Sequence, residues 1–384
     1  MRAWKSSLRE GHEHVLSQLM NKGFTALFSG LVVTKNLLKS PASGIEPVIH
    51  TDASLVEVAE LFDSVEFPGS RCFDVQVEHH GRLTRCKIYS RPQSDDYFSV
   101  LRKLSEFEPA TVFTFLYDAH RDVFLDPWSA YHHLRGRLLV FMPRLKDSIT
   151  QKPSLLLDII DLMVNDHFTI DAETEKMLRA LVFIPREDDM PSVKRGLGAL
   201  LTGENPHRTI VALQEKGVLE SLFPELVATR EVPQDKDHHP EGNVYEHTIE
   251  CFKHLKRPSL ALALGALFHD IGKRETAVFQ KRLSFPGHEA AGARAARKIL
   301  RRIGFEESLI RDVTFLIEHH LLSHVLYHMP ERRKAEFMEH RLFPDILRLY
   351  KADVMSCFGD LSHYYKISTF YKKIRCHEKD IIDW

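Results

Sequence analysis

Long apolar runs are missing from this 384-residue chain, and no stretch approaches the roughly 18 residues that a membrane span requires. The first ten residues likewise lack the apolar core of a secretion signal. Cysteine is scarce, and the five cysteines, at positions 72, 86, 251, 357 and 376, form no Cys-x-x-Cys pair. These absences argue against a membrane protein and favour a soluble protein of two or three domains in a reducing cytoplasm.

A large net charge is absent as well, because 52 lysines and arginines nearly balance 53 aspartates and glutamates and leave a formal charge of −1. Without a global basic field, any affinity for RNA must come from a local surface. The strongest candidate is a basic stripe with helical spacings of three and four residues. It consists of Arg294, Arg297, Lys298, Arg301 and Arg302. A solvated helix face and a phosphate-contacting face both fit this pattern, and the first is the more common.

The first 145 or so residues alternate between helical and strand-like patterns. The patterns predict helices at 8–20 and 55–62, a strand at 24–28, and hairpin-like pairs at 72–78 with 83–89 and at 111–117 with 123–125. These elements indicate a small α/β head with a mixed or antiparallel sheet.

From residue 152 onward the strand signals stop, and helical periodicity dominates at 155–164, 173–181, 193–201 and 209–216. This change predicts a domain boundary near residue 150. A polar segment with proline and glycine at 232–242 predicts a second boundary. The sequence therefore predicts three domains, at 1–150, 151–235 and 236–384.

The most informative segment is the apolar run at 260–274, which ends in the sequence His-Asp-Ile-Gly-Lys at 269–273. A continuous apolar segment of this length predicts a buried helix. The imidazole of His269 and the carboxylate of Asp270 then need partners that offset their desolvation. A metal ion is the natural partner.

Further residues of metal-binding type occur on both sides of this run, each in or beside a half-apolar, apparently helical stretch. They are His247, His288, the pair His319-His320, and Asp353. Facing helices that each project one ligand predict a single central site in a helical bundle. The ordered set, with its Asp-Ile-Gly-Lys continuation, resembles that of the HD-domain metal-dependent phosphohydrolases.

This resemblance implies a primary set of four metal ligands, His247, His269, Asp270 and Asp353. Asp270 would act directly at the reacting centre. Imidazole and carboxylate ligands favour Mn, Ni, Fe, Co or Zn over Ca. One ion or two are both possible, with a slight preference for one.

The roles of the outer residues stay open in the sequence. His288 and His320 either bind metal or bind a substrate phosphate. His319 is expected to point elsewhere, because adjacent helical residues differ in direction by about 100°. Lys273 would donate to the phosphate or leaving oxygen, and Arg294 would hold an RNA end or nucleotide.

A second resemblance covers most of the chain. Residues 217–226, Pro233-Gln234 and residues 239–248 resemble the junction between the neck and the HD domain in bacterial tRNA nucleotidyltransferases, the CCA-adding and poly(A)-polymerase-like family. Residues 168–174 and 125–128 match further landmarks of that family. The resemblance implies an α+β protein with a nucleotidyltransferase-like head, a helical neck and an HD domain.

The catalytic residues of that family are replaced here. Its magnesium-binding Asp-x-Asp falls on Glu46 and Val48, so one of the carboxylates that nucleotidyl transfer needs is missing. Its Gly-Gly and Arg-Arg-Asp motifs are also lost. Its nucleotide-reading arginines fall on Leu155, Asp158 and Asp161, and the two aspartates reverse the charge. We therefore predict a degenerate head that does not transfer nucleotides.

Three functions follow as hypotheses. The first is a metal-dependent phosphohydrolase or phosphodiesterase that acts through the HD site on a nucleotide or RNA-terminal phosphoester. The second is an active tRNA nucleotidyltransferase, and the third is an RNA-binding protein with an accessory HD domain. The complete ligand set argues against the third, because buried His and Asp without metal would destabilise the fold.

Overall fold

The computed structural model describes residues 12–40, 48–66, 74–79, 82–89, 97–106, 108–234, 242–280, 282–357 and 359–382. The chain forms two compact units, Met1–Gly196 and Leu197–Trp384. The predicted boundary near 150 lies within the first unit, and the one near 235 lies within the second. The three-domain division therefore stays a prediction.

A mixed sheet is the centre of the first unit. Its described strands are β1 (Leu27–Ser29), β2 (Val48–Thr51), β3 (Val65–Glu66), β4 (Asp74–His79), β5 (Arg82–Ile88), β6 (Leu116–Asp118) and β7 (Val123–Leu125). Their order is β3-β4-β5-β2-β1-β6-β7. β2 runs parallel to β5, and all other neighbouring strands are antiparallel. This arrangement agrees with the predicted mixed sheet.

Helices surround this sheet and continue into the predicted neck. They are α1 (Glu13–Asn21), α2 (Leu31–Leu38), α3 (Leu55–Leu61), α4 (Tyr97–Ser105), α5 (Tyr131–Gly136), α6 (Leu145–Gln151), α7 (Ser154–Asn165), α8 (Ala172–Arg179) and α9 (Met190–Leu201). Ser54 begins α3 with a reciprocal capping box, and the Asp171 side chain caps α8. The sequence did not predict α2 or β2.

A buried ion cluster connects α2 to the neck helices. Lys35 is 2% exposed and Asp166 is 5% exposed. The Lys35 ammonium contacts both Asp166 and Asp161, with a distance of 2.6 Å to Asp161 Oδ2. Ser40 also donates to Asp166, and Arg137 lies 3.9 Å away. The family resemblance aligns Asp161 with an arginine. In this structure Asp161 is instead paired with Lys35 inside the first unit.

The strand that matches the metal-binding motif of the related enzymes carries no carboxylate in its described part, Val48–Thr51. Glu46 lies outside the described residues. On the same strand, His50 contacts Ser29 Oγ at 2.8 Å, and burial lowers the pKa of this imidazole to about 3. The described strand thus presents an apolar and a neutral side chain, Val48 and His50, at the positions that the family resemblance aligns with a metal-binding motif.

A second group of charges surrounds Asp158 on α7. Burial raises the pKa of Asp158 from 3.8 to about 7 against the opposing charge of Lys152, and Asp161, Asp189 and Glu108 add to the rise. Because the unfolded carboxyl ionises near its ordinary pKa, the folded state binds the extra proton between these two values. Stability from this group is therefore lost as the pH rises from about 4 to about 7.

We expect Asp158→Asn to raise the urea midpoint of the first unit at pH 8 and to leave it nearly unchanged at pH 4, since asparagine resembles the protonated carboxyl. Urea titrations of both proteins across this range would measure the difference. Asp147→Asn, at an exposed carboxylate on α6, is the matched control. A difference that stays constant with pH would contradict the raised pKa.

Among the described residues of the second unit, the only strands are the short pair β8 (Val278–Phe279) and β9 (Leu283–Ser284), and the regular elements are otherwise helices. Its helices are α10 (Pro206–Glu215), α11 (Val218–Leu222), α12 (Pro224–Val227), α13 (Val244–Cys251), α14 (Leu260–Phe268), α15 (Lys273–Thr276), α16 (His288–Ile303), α17 (Glu307–Glu318), α18 (Leu322–His328), α19 (Glu331–Glu339), α20 (Phe343–Ser356) and α21 (Ser362–Ile382). None of the helices in the described residues is both long and apolar enough to cross a bilayer.

The buried helix predicted in the run at 260–274 is α14. Ser259 caps its first turn by accepting a hydrogen bond from Leu262 N, and every residue from Ala261 to Phe268 is buried. The helix ends at Phe268, and residues 269–272 form a turn before α15. α14 contacts α13, α16, α17 and α20, so it lies among the helices that carry the predicted ligands.

Candidate metal centre

His247 is placed by α13. Asn243 caps this helix by accepting a hydrogen bond from Glu246 N, and His247 follows one turn later with a fully buried side chain. His247 Nδ1 faces Ser356 Oγ at 3.2 Å, and Ser356 donates its own proton to the Asp353 carbonyl at 2.7 Å. The Ser356 oxygen therefore accepts from Nδ1–H, which directs Nε2 into the site.

His269 and Asp270 lie in the turn that ends α14. His269 Nδ1 donates to the Ala266 carbonyl at 2.8 Å, so its Nε2 also faces inward. The glycine of the Ile-Gly pair has a steric role, because a Cβ at Gly272 would overlap the His288 carbonyl oxygen and the Gly292 amide nitrogen. The turn thus approaches the backbone of α16 more closely than any side chain would permit.

His288 and His320 complete the ring of imidazoles. His288 is the first residue of α16, and its Nδ1 donates to the Phe285 carbonyl at 2.8 Å. His320 follows α17, and its Nδ1 donates to the Ile317 carbonyl at 2.7 Å. Since a carbonyl only accepts, Nδ1 carries a proton in each ring, and in the neutral imidazole Nε2 then keeps its lone pair.

The inward-facing atoms form two groups of potential ligands. The first contains His247, Cys251, His269 and Asp353, and the second contains Asp270, His288 and His320; within each group the ligand atoms lie within 4.8 Å of one another. In the first group, His247 Nε2 is 3.0 Å from Asp353 Oδ1 and 3.4 Å from His269 Nε2. In the second, the Nε2 atoms of His288 and His320 are 3.3 Å apart.

Asp270 contacts both groups. Its Oδ2 lies 3.6 Å from His247 Nε2 and 3.4 Å from His269 Nε2. Its Oδ1 lies 3.3 Å from His288 Nε2 and 3.7 Å from His320 Nε2. This carboxylate is therefore within reach of both groups and would be available as a metal ligand to either.

The carboxylates in the site are held ionised. Burial works to raise the pKa of Asp270, but Lys273 and His269 outweigh it and hold that pKa well below 3.8. Burial likewise opposes ionisation of Asp353, and the hydrogen bond with His247 and the charge of His269 lower its pKa. Two negative charges therefore persist across neutral pH.

The imidazoles differ in how they respond to this charge. Burial opposes the protonation of His247, yet Cys251 and the Asp353 carboxylate outweigh it and raise its pKa well above 6.5. Burial also opposes protonation of His288, and Asp270 more than offsets it and raises that pKa. Burial lowers the pKa of His320 to about 4. The site thus attracts positive charge, either as protons or as a metal ion.

The arrangement of lone pairs fits a metal. The two Nε2 atoms of His288 and His320 carry no proton of their own when each Nδ1 donates to a carbonyl, and they face each other at 3.3 Å. The Nε2 atoms of His247 and His269 face each other in the same way. Lone pairs at these distances repel unless a cation lies between them. The His and Asp set therefore fits a divalent transition metal and does not choose among the metals.

Lys273 is buried beside Asp270 rather than open to the site. Its Nζ donates to Asp270 Oδ2 at 2.6 Å and to Gln234 Oε1 at 2.7 Å, and it lies 5.4 Å from the centre of the Phe285 ring. Asp270 more than offsets the burial and raises the lysine pKa. In this structure Lys273 orients the Asp270 carboxylate and offsets its negative charge. The predicted contact of Lys273 with a phosphate stays a prediction.

The structure brings the six predicted ligands together and places two other candidates outside them. His319 Nδ1 donates to the Phe315 carbonyl at 2.7 Å, and its ring packs against Phe315 and Phe337. Arg294 is exposed on α16 and pairs with Glu275 at 3.4 Å. A role for Arg294 in binding phosphate remains a prediction.

The rest of the basic stripe is partly engaged in ion pairs. Arg301 pairs with Glu307, and Arg302 pairs with Glu225, each at 2.6 Å. These contacts are typical of a solvated helix face, which is the more common of the two interpretations of the stripe.

The sequence did not identify three of the residues that lie at the site, Cys251, Ser356 and Gln234. Cys251 lies four residues after His247 on one helix face, and this spacing was available as a signal. Ser356 and Gln234 contact site residues through hydrogen bonds that only the folded chain reveals. Gln234 belongs to the Pro-Gln pair that carried part of the family resemblance.

Comparison with known proteins identifies an HD domain. Residues 244–353 match the family model described as HD domain. That segment contains all six predicted metal ligands, from His247 to Asp353. The predicted resemblance to HD-domain proteins is confirmed.

Similarity to tRNA nucleotidyltransferases extends beyond this domain. The chain is 28% identical over 254 residues to the A-adding tRNA nucleotidyltransferase of Deinococcus radiodurans, covering 62% of this chain and 56% of the relative. It is 28% identical over 208 residues to the multifunctional CCA protein of Halorhodospira halophila, covering 52% and 49%. The matches thus span about half the length of these relatives.

The fold is also similar to that of solved structures. The CCA-adding enzyme of Thermotoga maritima in complex with tRNA matches with a TM-score of 0.53 and 13% identity, over 94% of this chain and 81% of that chain. At this identity the match shows the fold alone. The predicted α+β class, with a small sheet-containing head and a helical remainder, is confirmed.

Proposed function

We propose that this protein is a metal-dependent phosphohydrolase or phosphodiesterase that acts through the HD site on a nucleotide or RNA-terminal phosphoester. The observation that carries the proposal is the convergence of four imidazole Nε2 atoms and two ionised carboxylates in one buried centre. Burying these charged and polar groups destabilises the folded state unless a cation compensates for their desolvation.

His247, His269 and Asp353 would hold one ion, with Asp270 as a further ligand shared with the second group. A bound Mn, Ni, Fe, Co or Zn ion lowers the pKa of a coordinated water and polarises a phosphoryl oxygen. The chain itself would keep Asp270 ionised through Lys273, which donates to it at 2.6 Å. Burial of the four imidazoles and Asp270 would limit the access of bulk water to the site, and Asp353 is its more exposed ligand.

His288 and His320 would serve either a second ion or the substrate phosphate. Their Nε2 atoms lie 3.3 Å and 3.7 Å from Asp270 Oδ1, so both are within reach of a group bound beside that oxygen. The Asp270 carboxylate spans both ligand groups, which supports two positions for cations. The slight preference for a single ion rested on the sequence alone.

The substrate class comes from the relatives. One matched relative is by its name an A-adding tRNA nucleotidyltransferase, which supports a nucleotide or an RNA end as the substrate of this chain. Cyclic 2′,3′-phosphates, 2′-nucleotides and RNA termini are the candidates. Arg294 on the exposed face of α16 would hold the RNA end or nucleotide.

The second candidate function is tRNA nucleotidyl transfer, and the names of the relatives favour it. Features of the first unit oppose it: Val48 replaces a carboxylate on β2, and Asp161 is paired with Lys35 at 2.6 Å. A head without its second carboxylate lacks an anchor for Mg²⁺ at the triphosphate. RNA binding by this head, with an accessory HD domain, is a third possibility.

One experiment separates these functions. Purified protein is incubated with phosphomonoesters and cyclic phosphodiesters in the presence of each metal, and in parallel with labelled CTP or ATP and a tRNA that lacks its 3′ end. We expect metal-dependent hydrolysis that falls to the metal-free rate in a His269→Ala and Asp270→Ala double variant. We also expect no CMP or AMP incorporation.

Hydrolysis that survives in the double variant would show that another site is the catalyst. Incorporation of CMP or AMP by the wild-type protein would instead restore the nucleotidyltransferase hypothesis. Neither activity, together with retention of labelled tRNA, would favour the RNA-binding hypothesis.

A further inference from the structure

We propose that Cys251 is a metal ligand, and that its thiolate joins His247, His269 and Asp353 around one divalent ion. The inference rests on the proposed metal dependence of the HD site. It adds a sulfur ligand to a set that otherwise contains only nitrogen and oxygen, and it thereby narrows the metal to one that accepts thiolate.

The helix geometry places the thiol beside the imidazole. Cys251 follows His247 by four residues on α13, so both side chains lie on one helix face. Both are fully buried, and Cys251 Sγ lies 3.8 Å from His247 Nε2. This is the nitrogen that faces Asp353 and His269, and the thiol also lies 3.2 Å from Ser356 Oγ.

The spacing of the four atoms fits one tetrahedral ion. With bonds of about 2.0–2.1 Å to nitrogen and about 2.3 Å to sulfur, such an ion separates two nitrogens by about 3.4 Å and a nitrogen from a sulfur by about 3.6 Å. His247 Nε2 and His269 Nε2 are 3.4 Å apart, and Cys251 Sγ is 3.8 Å from His247 Nε2. Only small movements of these side chains would be needed to complete the coordination sphere of the ion.

The second thiol near the site provides a contrast. Cys357 Sγ also lies 3.8 Å from His247, but from Nδ1 on the opposite side of the ring. An ion bound to Nε2 is therefore out of reach of this sulfur. Cys357 is half-buried, and it is a matched control because it is near the same imidazole without being directed at the ligand atoms.

Coordination would replace the thiol proton with the ion. The S–H bond breaks, the sulfur–metal bond forms, and one proton passes to the solvent for each ion bound. A soft thiolate beside two imidazoles favours Zn, Co or Fe over Mn. These four protein atoms would fill the first position, and the Asp270, His288 and His320 group would be the one left open to substrate.

The test uses cobalt as a spectroscopic probe of the full-length protein. Metal is removed with a chelator, Co²⁺ alone is added back, and absorption is recorded in the visible and near-ultraviolet regions. We expect visible bands of bound cobalt together with an intense near-ultraviolet band from sulfur-to-cobalt charge transfer. Cys251→Ser should lose the near-ultraviolet band and keep the visible bands, whereas Cys357→Ser should keep both.

Several outcomes would overturn the inference. Visible cobalt bands without the sulfur band in the wild-type protein would assign Cys251 to the core as an ordinary buried residue. A sulfur band that persists in Cys251→Ser would point to another cysteine. If Cys251→Ser does not fold, the wild-type and Cys357→Ser spectra still decide whether a thiolate other than that of Cys357 is bound.

Hydrolysis is measured separately on the same cobalt-loaded proteins. A sulfur band without hydrolysis would refute the proposed function and leave Cys251 as a ligand. Hydrolysis without a sulfur band would support the proposed function and refute the assignment of Cys251 as a ligand. No cobalt binding at all, in protein that is folded by circular dichroism, would refute both.

Discussion

Asp270→Ala is expected to strip the purified protein of transition metal and to destabilise the second unit at the same time. Asp270 contacts both ligand groups, with Oδ2 toward His247 and His269 and Oδ1 toward His288. The variant also leaves the Lys273 ammonium buried beside Gln234 alone. Removing one partner of a buried ion pair costs about 3–5 kcal/mol of stability.

Two additional variants separate the metal effect from the charge effect. Asp270→Asn keeps the side-chain shape and should still lose most of the metal. A double variant, Asp270→Ala with Lys273→Met, should recover much of the stability while remaining metal-free, because no buried charge is left alone. Elemental analysis gives the metal content, and urea denaturation gives the stability.

Asp312→Ala provides the matched control in the same unit. Asp312 pairs with an exposed Arg341, so its loss should cost no more than about 1 kcal/mol and should leave the metal content unchanged. Wild-type metal content in the Asp270→Ala protein would show that this carboxylate is not a ligand.

Lys35→Met is expected to destabilise the first unit by about 3–5 kcal/mol, because it removes the buried cation from two carboxylates. Asp166 is 5% exposed and would retain only Ser40 and the more distant Arg137. Asp161 would lose its 2.6 Å contact. Hydrogen exchange of α2 and α7 under increasing urea would measure the loss, with exchange of α14 as an internal reference.

The control for this variant is Lys176→Met, at an exposed lysine on α8, which should change stability by less than about 0.5 kcal/mol. Adding Asp166→Leu to Lys35→Met should recover part of the loss, since it removes one of the two unpaired carboxylates. An unchanged exchange pattern in Lys35→Met would mean that the buried contacts are not formed in solution.

The sequence was sufficient to predict the helix that organises the second unit and the six residues that the structure gathers around it. An apolar run of this length indicates a buried helix, and the polar residues at its end then need partners inside the protein. α14 is that helix. The mixed sheet of the head was also predictable, because β4, β5 and β7 coincide closely with the alternating segments. The strand predicted at 111–117 was wrong over most of its length, since Thr111–Phe113 form a 3-10 helix and β6 begins only at Leu116.

Other elements depended on contacts that a sequence does not display. α2 has six of its eight residues buried, including Thr34, Lys35 and Asn36, so it shows no amphipathic periodicity that would indicate a helix. β2 has four residues, and its parallel partner β5 begins more than 30 residues later in the chain. Its pairing is therefore non-local and carries no short-range turn signal.

The end of α14 is a further example. The run at 260–274 continues through Gly265 as helix, and no glycine or proline follows before Gly272, yet the helix stops at Phe268. The stop is set by the approach of the turn to α16, where Gly272 leaves no room for a Cβ beside the His288 carbonyl. Because that neighbour is distant in sequence, no local pattern could have indicated it.

This backbone contact at Gly272 also has a mechanical consequence. The turn that carries Asp270 and the first turn of α16 that carries His288 touch main chain to main chain, so neither can shift without displacing the other. The 3.3 Å separation between Asp270 Oδ1 and His288 Nε2 is then fixed by the peptide framework. Hydrophobic residues elsewhere in the bundle can therefore be substituted and repacked while the segments that carry Asp270 and His288 keep their relative position.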